Sequence, residues 1–209
     1  MKKLFGILAI ILLLFGSLGS YIYYASPTLL ANIISKKTQT PVSIHSIDWK
    51  KDRFKIFNLS IANPKKSRIP TAMNVKKIEI SNSYLNYLKN PIIIDQITLD
   101  SVYINIEIYN KAKTEGNWQT LLDNLKKDHK EFFSIERQAL IKKLVLTNIK
   151  IDVILSDGKV HNLSPIKRLE FDNIESDKGI PSQEITEIIM QKMIITFTNY
   201  VKDLYKIKI

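Results

Sequence analysis

The sequence predicts an α+β fold in which an N-terminal transmembrane helix precedes a curved, mainly antiparallel, bulged β-sheet. The sheet is expected to form a groove, accompanied by a Leu-rich helix and a C-terminal amphipathic helix. Three observations predict this architecture. Leu4–Tyr24 contains no charged residue. From Pro41 onward apolar residues alternate with polar ones, as in strands with one buried face. The alternation also changes phase at a two-residue stutter in several segments.

The N-terminal segment has the length and flanking charges of a membrane span. Lys2 and Lys3 precede Leu4–Tyr24, and about 20 apolar residues cross a bilayer of about 30 Å. A cleaved signal peptide is the alternative, but Ser17-Leu18-Gly19 is a poor small-x-small site. We therefore expect an uncleaved anchor over residues 1–25. Because positive charge is enriched on the cytoplasmic side, the N-terminus should be cytoplasmic and the remaining chain outside.

Three further segments follow the anchor. Residues 26–40 predict an amphipathic juxtamembrane helix and linker, with Pro27 at its first helical position and Leu29, Leu30, Ile33 and Ile34 on one face. Residues 41–178 form the predicted sheet domain with an inserted helix over 117–128, where Trp118, Leu121, Leu122 and Leu125 follow helical spacing. After Gly179-Ile180-Pro181, residues 179–209 predict a C-terminal helix.

Six segments of the sheet domain read as strands because apolar residues recur at every second position. Asp157-Gly158 is a turn signal, so the last segment should return antiparallel to the one before it. The predicted strands are 42–49, 54–62, 73–85, 92–109, 144–155 and 160–174.

The stutter has two interpretations. In Ile97–Ile106 the apolar residues occupy odd positions before Asp100-Ser101 and even positions after it. Comparable breaks occur at Ser81-Asn82, Thr147-Asn148 and Asp172-Asn173. Each pair could be a hairpin turn, although none contains the glycine that two-residue turns prefer. Alternatively each break is a β-bulge within one continuous strand, which keeps the apolar side chains on one face. We favour the bulge.

One face of such a sheet is lined by aliphatic side chains that must be covered. The predicted helices could cover all of it, which gives an ordinary core, or they could leave an open strip that holds an apolar ligand. Composition does not decide between these possibilities. The candidate lining residues are Leu59, Ile61, Ile97, Leu99, Val102, Ile104, Ile106, Ile108, Leu144, Leu146, Ile149, Ile151, Val153 and Leu155.

The composition argues against an enzyme and against nucleic-acid binding. The net charge is +11, but the lysines are scattered along the chain, as on a solvated surface. There is no cysteine, and the three histidines lack metal-ligand spacing. No nucleophile, phosphate or dinucleotide motif is present. We therefore expect no catalytic residue, no metal site and no cofactor.

The order of these parts resembles the N-terminal region of the AsmA-like proteins, bacterial envelope proteins that include TamB-type relatives. The residues that carry the resemblance are the N-terminal span, Thr40–Ile44, Phe57–Pro64 with its Asn-Pro end, the bulged strand Ile97–Ile108, and Gly116-Asn117-Trp118 with Leu121-Leu122. The resemblance implies a curved apolar β-groove on the periplasmic side of the bacterial inner membrane. It also implies a role in phospholipid transport or outer-membrane assembly. With six strands at about 4.8 Å each, this groove would be far shorter than in the larger members.

The expected function follows from this resemblance and from the apolar face. The chain would be an inner-membrane-anchored periplasmic protein that binds or hands over lipid, or that assists a larger envelope partner. The alternative is a structural envelope protein whose core is filled by its own helices and which holds no lipid. The expected partners are the membrane, phospholipid and a larger envelope protein.

Overall fold

The computed structural model describes residues 27–50, 52–83, 85–86, 92–110, 115–127 and 139–176. These ranges contain two α-helices and nine strand segments. The helices are α1 (Pro27–Thr38) and α2 (Asn117–Lys127). The strands are β1 (Val42–Ser43), β2 (Ser46–Lys50), β3 (Arg53–Ala62), β4 (Thr71–Ser81), β5 (Ile92–Ile94), β6 (Gln96–Glu107), β7 (Ala139–Ile154), β8 (Val160–Asn162) and β9 (Ile166–Ser176).

The predicted α+β class with a mainly antiparallel sheet is wrong. The described chain is mostly strand and forms one open, mixed sheet. β7 pairs in parallel with β5 and β6, whereas its pairing with β9 is antiparallel. The parallel pairing of β6 with β7 results from the helical connection between them, because parallel neighbours require a long crossover rather than a hairpin. The sequence indicated α2, but its effect on strand direction was not predicted.

The two other predicted helices cannot be compared with the structure. The anchor over residues 1–25 and the C-terminal helix over 179–209 both lie outside the described residues. Neither of the described helices has the length and apolar character needed to cross a bilayer.

The nine segments occupy six strand positions in the sheet, because β1 and β2, β5 and β6, and β8 and β9 each share one position. β1 and β2 both pair with β3, and β3 pairs with β4. β4 pairs with β6, and β5 continues the β6 line along the same side of β7. β8 and β9 pair with the other side of β7. The sheet order thus follows the chain order, which places each predicted strand beside its predecessor.

The stutter at Asp100-Ser101 lies inside a continuous strand, so its hairpin interpretation is wrong. Ile97 and Ile104 both belong to β6, where they pair with Ile80 and Met73 of β4 respectively. Thr147-Asn148 likewise lies within β7, and Asp172-Asn173 within β9. Backbone continuity lets the apolar residues on both sides of each break face the same core.

These breaks are not conventional bulges, in which two residues of one strand face one residue of its neighbour. Phe57 pairs with Lys77 and Leu59 with Val75, so the register between β3 and β4 passes the break unchanged. The register from Asp100–Thr147 to Tyr103–Lys150 is equally regular. Each strand has one extra residue at the same position along the sheet, so the pairing between the strands stays in register. A register shift occurs only near the Ile61–Ala62 end of this strand pair.

The breaks form two rows across the sheet. The central row comprises Phe57–Asn58, Lys76–Lys77, Asp100–Ser101, Thr147–Asn148 and Lys167–Arg168. The lower row comprises Asp95–Gln96, Lys142–Lys143 and Asp172–Asn173. The predicted stutter of β9, Asp172-Asn173, therefore lies in the lower row and does not pair with Thr147–Asn148.

Four residues in these rows adopt positive φ angles. They are Asn58, Ser101, Asn148 and Asn173, with φ between 50° and 56°. Asparagine tolerates the left-handed region better than most residues because its short side chain can bond locally. In each case the next buried residue comes three positions after the previous one instead of two. The left-handed residue thus returns the strand to the same face.

Two strand predictions need correction near this pattern. The predicted 73–85 strand is too long at its C-terminus, because β4 ends at Ser81 and Leu85 is exposed in a short helical turn. Ser81-Asn82 is therefore a strand end and not a bulge. The phase change at Phe57-Asn58 was not recognised from the sequence.

Candidate functional site

The apolar face of the sheet holds the residues predicted to line a groove. Ten of the fourteen candidates are at most 6% exposed and belong to one hydrophobic cluster. The face is thus a packed core along most of its length. The ten residues are Leu59, Ile61, Ile97, Leu99, Val102, Ile104, Leu144, Leu146, Ile149 and Ile151.

Residues of both described helices join this cluster. Leu30 and Ile34 of α1 and Leu121 of α2 are completely buried in it. Trp118 is buried in the same cluster, and its indole Nε1 donates to the backbone oxygen of Asn105 at 2.6 Å. A buried indole with a satisfied N–H is a packing residue, so this tryptophan does not offer an open stacking surface.

The other four candidates lie where the core becomes shallower. Ile106 and Val153 are half-buried and pack against the cluster as a cross-strand pair of β6 and β7. Ile108 and Leu155 are also half-buried and lie one residue beyond the ends of those strands. The lining therefore changes from a closed core to an accessible rim at this end of the sheet.

Three half-buried residues that were not predicted continue this rim along the neighbouring segments. Leu163, Ile166 and Leu169 pack against the core from the β8–β9 line. The backbone N–H of Leu163 donates to the oxygen of Ile151 at 2.9 Å. Ile166 and Leu169 are three positions apart and flank the central row, as buried residues do at the other breaks. This spacing in the sequence could have identified them as lining residues. We call Ile106, Val153, Leu163, Ile166 and Leu169 the apolar strip.

A buried asparagine network fastens α2 to the sheet. Asn117 Nδ2 donates to Asn63 Oδ1 at 2.7 Å and to the backbone oxygen of Asn105 at 2.9 Å. Asn63 Nδ2 donates to Asn105 Oδ1 at 2.9 Å. Asn117 Oδ1 accepts from the N–H groups of Glu107 and Trp118. The three amides thus connect the end of β3, the end of β6 and the start of α2.

Gly116 and Asn105 show how closely this junction is packed and how deeply it is buried. A Cβ atom on Gly116 would lie 2.4 Å from the backbone oxygen of Glu107, so only glycine fits there. Asn105 is fully buried, yet its Nδ2 has no hydrogen-bond partner. The Asn-Pro and Gly-Asn-Trp motifs of the sequence therefore have a structural role at this junction.

Glu107 anchors the loop between β3 and β4. Glu107 is 3% exposed, and its carboxylate accepts hydrogen bonds from the backbone N–H of Arg68 at 2.8 Å and of Ile69 at 2.9 Å. Asn63 Nδ2 also donates to the oxygen of Ile69 at 2.8 Å. A surface loop is thus held by buried polar groups, which restricts its conformation.

Several charged side chains on the opposite face of the sheet have a partner on a neighbouring strand. Glu79 lies within salt-bridge distance of Arg53, Lys55 and Lys77. Thr147 Oγ1 donates to Asp100 Oδ1 at 2.6 Å, and this bond is the main cause that lowers the pKa of Asp100. Thr147 and Asn148 of β7 thus donate hydrogen bonds to the Asp100 carboxylate of β6 in the central row.

Histidine and carboxylate side chains do not cluster for metal binding within the described residues. Within these ranges no cluster of three histidine, aspartate or glutamate side chains could hold a metal ion. His45 and His161 are exposed on the surface, and His129 lies outside the described residues. The apolar strip is therefore the feature with the clearest potential for binding.

Comparison with protein-family models, with curated proteins and with solved structures found no match to this chain. Support for a function consequently comes from the geometry of the strip and from the motifs of the sequence.

Proposed function

We propose that this chain is an AsmA-like protein of the bacterial cell envelope that binds or hands over lipid through the apolar strip. It would act alone or assist a larger partner in phospholipid transport or outer-membrane assembly. The observation that carries the proposal is the change from a closed core to half-buried aliphatic side chains across β6, β7 and β9. A surface of this kind can accept an acyl chain without opening the rest of the core.

The strip has the chemistry that an acyl chain requires. Its five side chains are aliphatic, and Ile106 and Val153 are direct cross-strand neighbours. Ile149 pairs with Ile166, which joins the strip to the completely buried part of the face. Burying a methylene group is favourable by about 0.8 kcal/mol. A few methylene groups on the strip would therefore provide several kcal/mol toward binding.

A second candidate function is a structural envelope protein that holds no lipid. The burial of ten predicted lining residues together with α1 and α2 favours this alternative. In that case the half-buried strip is the edge of an ordinary core, and the polar face or an edge strand would contact a partner. The two functions differ in whether an apolar ligand remains with the purified protein.

Native mass spectrometry of the full chain, purified in a mild detergent, tests the proposal. We expect retained phospholipid on the wild type and much less on an Ile166→Asn/Leu169→Asn variant. Val160→Asn is the matched control, because Val160 is 55% exposed and lies outside the strip. Absence of phospholipid on the wild type would support the structural alternative. Equal phospholipid retention by all three proteins would show that lipid binding does not depend on the apolar strip.

The proposed localisation is the bacterial inner membrane, with a cytoplasmic N-terminus and the sheet in the periplasm. The support is the uncharged segment Leu4–Tyr24 after Lys2 and Lys3. Alkaline carbonate extraction of the expressed chain should leave it in the membrane pellet. Release of a product shorter by about 20 residues would show instead that the segment is a cleaved signal peptide.

A further inference from the structure

β9 forms one edge of the sheet. Its inner side pairs with β7, and among the described residues no strand lies along its outer side. The outward-pointing backbone N–H and C=O groups of this strand can therefore pair with a further strand. Charged side chains often protect such an edge, but those of β9 carry both signs and can compensate one another between two strands.

The sequence of β9 is symmetric about Glu170. Lys167 and Arg168 lie three and two positions before it, and Asp172 and Asn173 lie two and three positions after it. The apolar residues have the same symmetry, at one and four positions on either side: Leu169, Phe171, Ile166 and Ile174. An antiparallel pair of β9 strands centred on Glu170 would thus set apolar residues against apolar ones and basic residues against acidic or amide ones.

The two breaks of β9 have the same symmetry. Lys167–Arg168 belongs to the central row and Asp172–Asn173 to the lower row. In a pair centred on Glu170, each break of one copy meets the other break of the second copy, so the strands stay in register as β3 and β4 do. A register displaced by two residues would set each break against regular strand, and the apolar residues beyond it would no longer face one side together.

The backbone conformation at the breaks follows a rule between antiparallel neighbours. One strand contributes a residue with positive φ, and the other contributes a lysine without it. Asn58 of β3, at 51°, and Ser101 of β6, at 56°, both stand opposite Lys76 of β4. Lys76 thus has a left-handed residue on each side, so one strand can accept two such neighbours.

Lys167 of β9 has one such neighbour among the described residues. This neighbour is Asn148 of β7, with a φ of 52°. Asn173 obeys the rule on its inner side, where Lys142 of β7 stands opposite. Pairing of two β9 strands in the symmetric register would place Asn173 of the second copy, with a φ of 50°, on the outer side of Lys167. The lysine would then be flanked by two left-handed residues, as Lys76 is.

We infer that two copies of this chain associate edge to edge through β9, as an antiparallel pair with a two-fold axis at Glu170. The interface is isologous, because both copies use the same surface. Arg168 of each copy lies opposite Asp172 of the other, which gives two opposite-charge pairs. The two Glu170 carboxylates face each other, but each already lies within salt-bridge distance of Arg168 and Lys143 of its own chain. This association does not depend on lipid binding.

The pair also extends the core face of the sheet across the junction. Leu169 meets Phe171 of the second copy, and Ile166 meets Ile174. Phe171 and Ile174 are buried in the core, whereas Leu169 and Ile166 are half-buried members of the apolar strip. Two strands of eleven residues bury a small interface, so we expect a weak dimer with a Kd in the micromolar range.

Cysteine cross-linking tests the two-fold axis, because the chain has no cysteine. Glu170→Cys would place two thiols opposite each other with Cβ atoms about 5 Å apart, which a small backbone adjustment brings to disulfide geometry. Mild oxidation of the full chain, in membranes and in mild detergent, should produce a covalent dimer on a non-reducing gel. Lys76→Cys is the control and should stay monomeric, because Lys76 is exposed but lies in an interior strand.

A second pair of variants tests the register. The thiols of two Arg168→Cys chains would lie about four residues apart, on the order of 13 Å, and should not cross-link. When Arg168→Cys chains are mixed with Asp172→Cys chains under reducing conditions and then oxidised, mixed dimers should form, because residues 168 and 172 lie opposite each other.

A charge exchange tests the contacts without covalent capture. Arg168→Asp should weaken the dimer about tenfold, because two opposite-charge pairs become like-charge pairs. Sedimentation velocity of the full chain in detergent over a concentration series measures the Kd. Arg168→Asp/Asp172→Arg exchanges the two charges and should restore association, which separates a lost contact from misfolding. Lys76→Asp is the matched charge control and should dimerise as the wild type does.

Four outcomes would overturn the inference. The wild type could stay monomeric at every concentration, with no cross-link in Glu170→Cys. Glu170→Cys and Lys76→Cys could cross-link at the same rate, which indicates random collision. Efficient cross-linking of Arg168→Cys with itself would show a different register. Larger assemblies without a discrete dimer would show that β9 joins another edge of the sheet.

Discussion

Asn117 Nδ2 donates to Asn63 Oδ1 across 2.7 Å, joining two residues that are 54 positions apart in the sequence. The same Asn117 side chain bonds the backbone of three further residues, Asn105, Glu107 and Trp118. One amide thus satisfies groups at the end of β6 and the start of α2. These groups are buried, so water cannot replace the amide if it is removed.

Asn117→Ala should therefore destabilise the protein by about 3 kcal/mol, since several buried donors and acceptors lose their partner. Thermal unfolding of the full chain in detergent measures the change. Asn162→Ala is the control, because Asn162 is exposed in β8 and should cost less than about 0.5 kcal/mol. Similar melting temperatures for Asn117→Ala and the wild type would show that the network has little energetic importance.

The left-handed residue of β9 allows a test of the row pattern. Asn173 has φ near 50° and is exposed. Asn173→Gly should leave stability nearly unchanged, whereas Asn173→Val should lose about 1–2 kcal/mol, because β-branched residues avoid positive φ. Asp172→Val is the neighbouring control without positive φ. If Asn173→Val melts with the same midpoint as Asp172→Val, the strand does not need the left-handed conformation.

The two faces of β7 should respond differently to an inserted charge. Ile151 is 6% exposed, whereas the adjacent Lys150 is exposed. Ile151→Asp should cost several kcal/mol because an unpaired carboxylate would enter the core, and Lys150→Asp only a few tenths. Soluble yield and the unfolding midpoint measure the difference. Equal tolerance of both substitutions would mean that the assignment of the faces is wrong.

The environment of Tyr103 should make the free energy of unfolding depend on pH in the alkaline range. Burial, reinforced by the hydrogen bond to Asp152 at 2.9 Å, raises the pKa of Tyr103 to about 12. Since this pKa exceeds the unfolded value of about 10, the contribution to stability is complete below pH about 10. It is lost as the pH rises through the folded pKa.

Comparison of the wild type with Tyr103→Phe isolates this group from the other tyrosines. The wild type should lose more stability than Tyr103→Phe between pH about 10 and 12. Chemical denaturation at a series of pH values measures both curves. Parallel curves over this range would show that the Tyr103–Asp152 bond does not contribute to the pH dependence.

Much of the sheet could be predicted because the apolar residues recur with strand periodicity. The segment from 92 to 109 contains β5 and β6, and the helix predicted over 117–128 coincides closely with α2. The continuous strand through Asp100-Ser101 also followed from the residues, since the flanking apolar positions change parity without a glycine. The local sequence pattern was sufficient to predict an element wherever apolar side chains are buried and polar ones are exposed.

The remaining features depend on long-range contacts that no local pattern reports. The parallel pairing of β6 with β7 results from the path of the connection through α2. The break at Phe57-Asn58 was hidden because Phe57 is apolar but only half-buried. The asparagine network consists of polar residues that resemble ordinary turn residues until Asn63, Asn105 and Asn117 meet. Leu163, Ile166 and Leu169 were also missed as lining residues, although the three-residue spacing of Ile166 and Leu169 was visible in the sequence.

The two rows also limit which insertions and deletions this chain can accept. In β7 the rows are five residues apart, at Lys142–Lys143 and Thr147–Asn148, and β9 repeats this interval. Losing one residue from β7 between the rows would turn every later side chain to the other face and separate its breaks from those of both neighbours. Two-residue changes between the rows, made together in all paired strands, would keep both the faces and the alignment of the breaks. Natural length variation should therefore occur in the connections, and within the strands only in even steps that the paired strands share.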